Sequence, residues 1–244
     1  MKPVLAALAC IVAVSWVYLL SGAGMPTMDM GGGKVMLTPP PSWSIGYAAI
    51  TFAMWSIMMV AMMIPSAAPV IVRIASGASG VQGFSTAALF TVGYLIVWTI
   101  FSAVATTAQW GFDSAHVLSD AMAIRSEVIA GLIVVAAGLY QLSPLKRNCL
   151  RRCCSSKNLI SDDQERSSSA AVRAGLSYGI SCLGCCWALM CLLFVVGVMN
   201  IFWIAAIAVL VLAEKTLPWG LRIARIAAVG LIGWGGVALT IGVF

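Results

Sequence analysis

The chain has 244 residues, 61% of them hydrophobic and 9% charged, with a mean hydropathy of +1.02. An average soluble domain is about half apolar and a quarter charged, so the composition excludes that class and predicts an integral membrane protein. The formal charge of +6 does not imply nucleic acid, because Lys and Arg fall in short segments between apolar runs, where membrane topology explains a positive excess.

Judged against the roughly 20 residues a helix needs to cross ~30 Å of hydrocarbon, seven apolar stretches read as spans: 3–20, 44–64, 84–110, 126–142, 174–198, 201–217 and 222–243. The expected fold is all-α, a polytopic transmembrane helix bundle with the N-terminus inside. Six spans remain an alternative, because the sixth stretch is short and the fourth marginal.

Residues 1–24 form an N-terminal anchor span or a signal-like segment, since Lys2, an apolar core and the small residues Ser21, Gly22 and Ala23 fit both patterns. Residues 25–43 form a Met-rich outer loop. Its "MPTMDMGGG" run carries Met25, Met28, Asp29 and Met30, followed by Met36. Thioethers favour Cu(I) over harder ions, and unlike thiols they do not form disulfides on an oxidising side. An ordinary polar loop is the alternative.

Residues 44–244 form a multi-span membrane domain. Its first span contains "MWSIMMVAMM" and can run on to Val72, with kinks at Pro65 and Pro69. At roughly 100° per residue, Met54, Met58 and Met62 share one face, and Met59 and Met63 turn to the other. Methionine is also a common flexible core filler. His116, the single histidine, falls in an outer loop with Asp113 and Asp120 and reads as a solvated residue.

The segment 143–173 reads as a basic, solvated cytoplasmic loop. Its "CLRRCC" places Cys149, Cys153 and Cys154 on the reducing side, where Arg151 and Arg152 either favour thiolate or act only as topology signals. With the N-terminus inside, that side collects Lys2, Arg73, Lys146, Arg147, Arg151, Arg152, Lys157, Arg166, Arg173, Lys215, Arg222 and Arg225. Only Lys34 and Arg125 of the 14 basic residues remain outside, a partition that supports both span count and orientation.

The next stretch, "SCLGCCWALMC", holds the densest sulfur. On a helical wheel with Cys182 at the origin, Cys185 falls near about −60°, Cys186 near +40° and Met190 near +80°, while Cys191 points away and only packs. Two cysteines three or four residues apart can clasp one soft ion. Free cysteine also occurs as a small buried hydrophobe, so a packing role stays open; Gly184 reads as a packing notch. Glu214 and Lys215 end the sixth stretch, where Glu214 is a candidate carboxylate ligand or the pair neutralises itself. In the last span Gly230, Gly233, Gly235 and Gly236 are expected to allow close helix packing.

Four separated stretches together resemble a bacterial domain-of-unknown-function family described as predicted metal-binding integral membrane proteins. They are Met54-Trp55 with Ala61-Met62-Met63-Ile64-Pro65-Ser66, then "GLYQLSPLK" from Gly138, then "CLGCCWALM" from Cys182, then Glu214-Lys215 with Pro218-Trp219-Gly220. The resemblance runs from about Trp43 to the end and implies metal binding without naming the metal.

The sulfur pattern predicts a protein of the bacterial inner membrane that binds a thiophilic ion, Cu(I) first and mercury or zinc as alternatives, for transport, delivery or homeostasis. Met25, Met28 and Met30 would collect the ion. Met58 and Met62 would pass it to Cys182, Cys185 and Cys186, and Cys149, Cys153 and Cys154 would exchange it inside. The lipid bilayer is the expected environment, and other membrane subunits or a metallochaperone are the expected partners. The alternative is a non-transporting accessory or assembly subunit of a larger complex. No phosphate loop, carboxylate pair or nucleophile–histidine arrangement is present, so no enzyme activity is expected.

Overall fold

The computed structural model describes residues 2–22, 27–29, 35–37, 43–77, 80–119, 122–154 and 167–241. Among them run the helices α1 (Lys2–Leu20), α2 (Ile45–Gly77), α3 (Gly80–Ser114), α4 (Glu127–Leu142), α5 (Pro144–Cys154), α6 (Ser168–Cys191), α7 (Leu193–Val196), α8 (Ile201–Thr216) and α9 (Gly220–Ile241). Two short strands, β1 (Thr27–Asp29) and β2 (Val35–Leu37), pair antiparallel between α1 and α2 with Met28 opposite Met36. Part of the Met-rich loop is therefore a hairpin. Met25 and Met30 lie outside the described residues.

The span count differs from the sequence expectation. Five helices are long and apolar enough to cross a bilayer: α1, α2, α3, α6 continued through α7, and α9. A sixth is reached if α4 and α5, bent by 60° at their junction, count as one. The stretches expected at 126–142 and 201–217 form helices of 16 residues each. At 1.5 Å per residue these reach about 24 Å, short of the hydrocarbon thickness.

Local chemistry sets these limits. Ser126 caps α4, its hydroxyl accepting from the Ile129 N–H at 3.4 Å. Pro144 ends it, because the residue before a proline is driven out of helical geometry. Asn200 caps α8 by accepting from the Trp203 N–H at 3.4 Å, and Leu217 before Pro218 leaves the helix with extended backbone. Pro65 and Pro69 lie inside an unbroken α2, as buried membrane helices allow.

Close helix crossings organise the bundle. The Gly175-x-x-x-Gly179 face of α6 lies against α3, where a methyl added at Gly175 would strike the Phe90 carbonyl and one at Gly179 would lie 2.9 Å from Val97. Gly93 of α3 meets α6 in the same way, at the Val172 carbonyl. The two backbones touch, as small-residue membrane interfaces permit. Helix α9 packs on α4 through Gly235, opposite Gly131 and Val135. Gly230, Gly233 and Gly236 have nothing within 4 Å of such a methyl, so only one of the four expected packing glycines in α9 serves that role.

Polar ties close the end of the bundle near the α3–α4 connection. Trp43 Nε1 donates to Asp113 at 2.6 Å, buried Trp55 Nε1 donates to Gln109 at 2.7 Å, and the Ile124 N–H donates to the Phe194 carbonyl at 2.9 Å. His116 is exposed in this connection.

Candidate metal centre

Helix α2 runs through the bundle interior against α1, α3 and α8, and Met54, Met58, Met59, Met62 and Met63 are all fully buried. Helix α6 brings Cys182, Cys185, Cys186 and Met190 to the same interior, each at most 1% exposed. The two sulfur-bearing helices meet where Cys186 Sγ lies 3.9 Å from Met63 Sδ. This contact is made by Met63, on the face expected to turn away; Met54, Met58 and Met62 are buried in the same helix.

Helix α5 contributes the remaining thiols. The 60° bend after α4 lays it across α6, where Cys153 is buried beside the Cys185 thiol. Cys149 fills the notch left by Gly184, its Sγ 2.8 Å from where a Cβ there would stand. Tyr140 of α4 donates to the Gly184 carbonyl. Cys154 is exposed, its Sγ 3.5 Å from the Lys215 carbonyl. "CLRRCC", expected as a separate loop cluster, thus packs on the cysteines of α6 rather than standing apart from them.

Charged groups complete the site in an arrangement that adjacency in sequence does not suggest. Glu214 does not pair with its neighbour Lys215. One of its carboxylate oxygens takes Lys146 Nζ at 2.7 Å and the other accepts from Gln141 Nε2 at 3.2 Å, with Lys146 also donating to Gln141 Oε1. Lys146 and Glu214 are each 1% exposed. Both oxygens of the candidate ligand Glu214 are therefore engaged, one in an ion pair and the other in a hydrogen bond. Lys215 turns the other way, its Nζ 2.6 Å from Cys182 Sγ and 3.3 Å from Ser66 Oγ. The Tyr94 hydroxyl stands 3.1 Å from the same sulfur and 3.2 Å from the Met63 carbonyl. Tyr94, Tyr178 and Phe90 stack beside Cys182, with ring centroids 5.7 Å apart from Tyr94 to Tyr178 and from Phe90 to Tyr178. The positions of Lys146, Lys215 and Tyr94, the burial of Cys153 and the approach of Met63 to Cys186 were not foreseen from sequence.

The thiols are close but not converged. Cys185 and Cys186 both donate to the Cys182 carbonyl, at 3.1 and 2.9 Å. Among the described residues no group of three or more His, Cys, Asp or Glu stands in metal-holding geometry. The donor set is nonetheless soft throughout, thiol and thioether, which favours Cu(I) and excludes the oxygen-seeking ions. Cys191 is half-buried and lines an apolar cavity of about 370 Å³ with Trp187, Tyr140 and Phe194, away from the converging sulfurs.

A family model described as PpoB2, copper chaperone, matches residues 52–238. The chain belongs to the PpoB2 copper chaperone family. No curated protein and no solved structure matches it significantly. The PpoB2 match takes in α2 from Phe52 through most of α9, and so every sulfur residue of the interior site; it leaves out α1 and the Met-rich loop. As a PpoB2 member the chain is related to copper handling, in agreement with the metal-binding family its motifs resemble.

Proposed function

We propose that this protein is a bacterial inner-membrane Cu(I) carrier that holds one ion among Cys182, Cys185 and Cys186, with Cys153 and Met63 at the margin, and hands it on without catalysing a reaction. The N-terminus lies inside, and α5 packs at the cytoplasmic end of the bundle, a placement supported by its basic residues Lys146, Arg147, Arg151 and Arg152. The methionines of the outer segment, Met25, Met28 and Met30, serve the opposite face. Partners are a donor or acceptor of the ion, and the lipid bilayer.

The observation that carries the metal assignment is the ammonium of Lys215 beside Cys182. With two of the three cysteines as thiolates and the third kept as a thiol, the Lys215 ammonium leaves a single negative charge. A monovalent ion neutralises it, whereas a divalent ion leaves a net positive charge in an apolar interior, which is costly. Glu214 offers no compensation, because Lys146 already neutralises it. Loading requires the Cys185 and Cys186 thiols to give up their bonds to the Cys182 carbonyl and rotate toward the ion, one of them deprotonating to join the Cys182 thiolate, a local change within one helical turn.

The test is anaerobic titration of the purified protein with Cu(I) against a chromophoric chelator, with metal counted per chain. One tight equivalent is expected, lost in the Cys182→Ser, Cys185→Ser, Cys186→Ser triple variant. Unchanged stoichiometry in that variant would overturn the assignment. Reporter fusions at the two termini test the orientation: activity of a cytoplasmic reporter at the N-terminus is expected.

A further inference from the structure

A cavity of about 380 Å³ opens between α5, α8 and α9, lined by Leu150, Arg151, Cys154, Lys215, Pro218 and Leu221 among others. It is separated from the sulfur site by a single residue. Lys215 presents its backbone carbonyl to Cys154, 3.5 Å away, and sends its ammonium to Cys182 on the inner side. The adjacent cysteines of α5 divide in the same way, with Cys154 exposed at the cavity and Cys153 buried against Cys185.

We propose that this cavity is the exchange port of the carrier and that it receives the ion as a complex with a small, carboxylate-bearing thiol. The inference rests on the Cu(I) reading above. The volume falls in the roughly 300–1,000 Å³ range of small-molecule pockets and is far too small for a folded donor domain. Exposed Arg151 supplies a planar guanidinium suited to a carboxylate. Cys154 supplies the attacking sulfur.

Transfer is a ligand exchange. The copper–sulfur bond to the small thiol breaks as a bond to Cys154 Sγ forms, the small thiol's sulfur takes up the proton that Cys154 releases, and the copper stays Cu(I), so no electron moves. The ion then exchanges inward through Cys153 to Cys185, and the proton moves outward with each exchange.

The experiment follows loading of the full-length protein in nanodiscs by stopped flow, under anaerobic conditions, with two probes: Cu(I)–glutathione, and Cu(I) complexed by uncharged 2-mercaptoethanol. Cys154→Ser and Cys154→Ala are both expected to slow loading from Cu(I)–glutathione at least tenfold while the final copper per chain stays at the wild-type value. Arg151→Gln is expected to slow loading from the glutathione complex several-fold and leave 2-mercaptoethanol loading unchanged. Wild-type loading rates in both Cys154 variants, or equal effects of Arg151→Gln on the two probes, would overturn the port while leaving the interior site intact. Wild-type protein that retains no copper overturns the interior site and the port with it.

Discussion

Lys215 Nζ approaches Cys182 Sγ to 2.6 Å while the carboxylate of its sequence neighbour Glu214 binds Lys146 from another helix. Two consecutive residues at the end of α8 thus point their charges into different environments, one into a closed ion pair and the other into the sulfur site. Removing the ammonium should therefore change which ion the site prefers. Lys215→Met is expected to weaken Cu(I) binding tenfold or more, about 1.4 kcal/mol, and to raise the relative affinity for Zn(II). Competition titrations with both ions check it.

The buried pair Lys146–Glu214 is expected to serve stability. Breaking a buried ion pair by removing one partner strands a charge and costs about 3–5 kcal/mol, whereas replacing both by apolar groups is often neutral. Glu214→Leu or Lys146→Met alone should lower the melting temperature in detergent markedly, and the double variant should recover most of the loss. If Glu214 were instead a ligand, the double variant would fold but bind no copper.

Met63 is the thioether in contact with the cysteine helix. Met63→Leu keeps volume and hydrophobicity, so little stability should be lost, yet one sulfur scatterer should disappear from the X-ray absorption spectrum of the copper-loaded protein. Met54→Leu should leave the spectrum unchanged.

The α3–α6 crossing leaves no room for a side chain. Gly175→Val places atoms against the Phe90 carbonyl and is expected to abolish folded protein, since backbone on both sides must shift. Gly230→Val, at a position with open space around it, should express normally. Yield of monodisperse protein in detergent separates the two.

Much of this architecture is legible in the sequence, but unevenly. Apolar length identifies α1, α2, α3, α6 and α9, because crossing a bilayer makes a demand that composition records directly. The 16-residue α4 and α8 defeat the same criterion, being long enough to pack in a bundle and too short to cross by themselves. The three-cysteine face of α6 is legible because i, i+3 and i+4 spacing is a property of one helix. Contacts between helices are not. Lys146 with Glu214, Lys215 with Cys182, Cys153 with Cys185 and Met63 with Cys186 join residues brought together by the bend at Ser143-Pro144 and by the return of α8, neither of which spacing encodes. Glu214 and Lys215 mislead for the same reason: adjacent residues on a helix diverge by about 100°, so neighbours in sequence are poor candidates for each other's partner.

The backbone-to-backbone seating of α6 on α3 carries a mechanical implication. Two rods locked at glycine contacts neither slide nor roll without collision, so half of the sulfur site is a fixed wall. The other half is borne by α5 and α8, short segments that reach that wall through a thiol contact and a lysine. On the carrier reading, thiol rotation on α6 leaves the helix movement that admits or releases the ion to α5 and α8, whose joints to the wall are the same atoms that would touch the cargo. Occupancy and shape are thereby linked, and a loaded carrier is expected to protect α5 and α8, but not α3, from hydrogen exchange relative to the empty one.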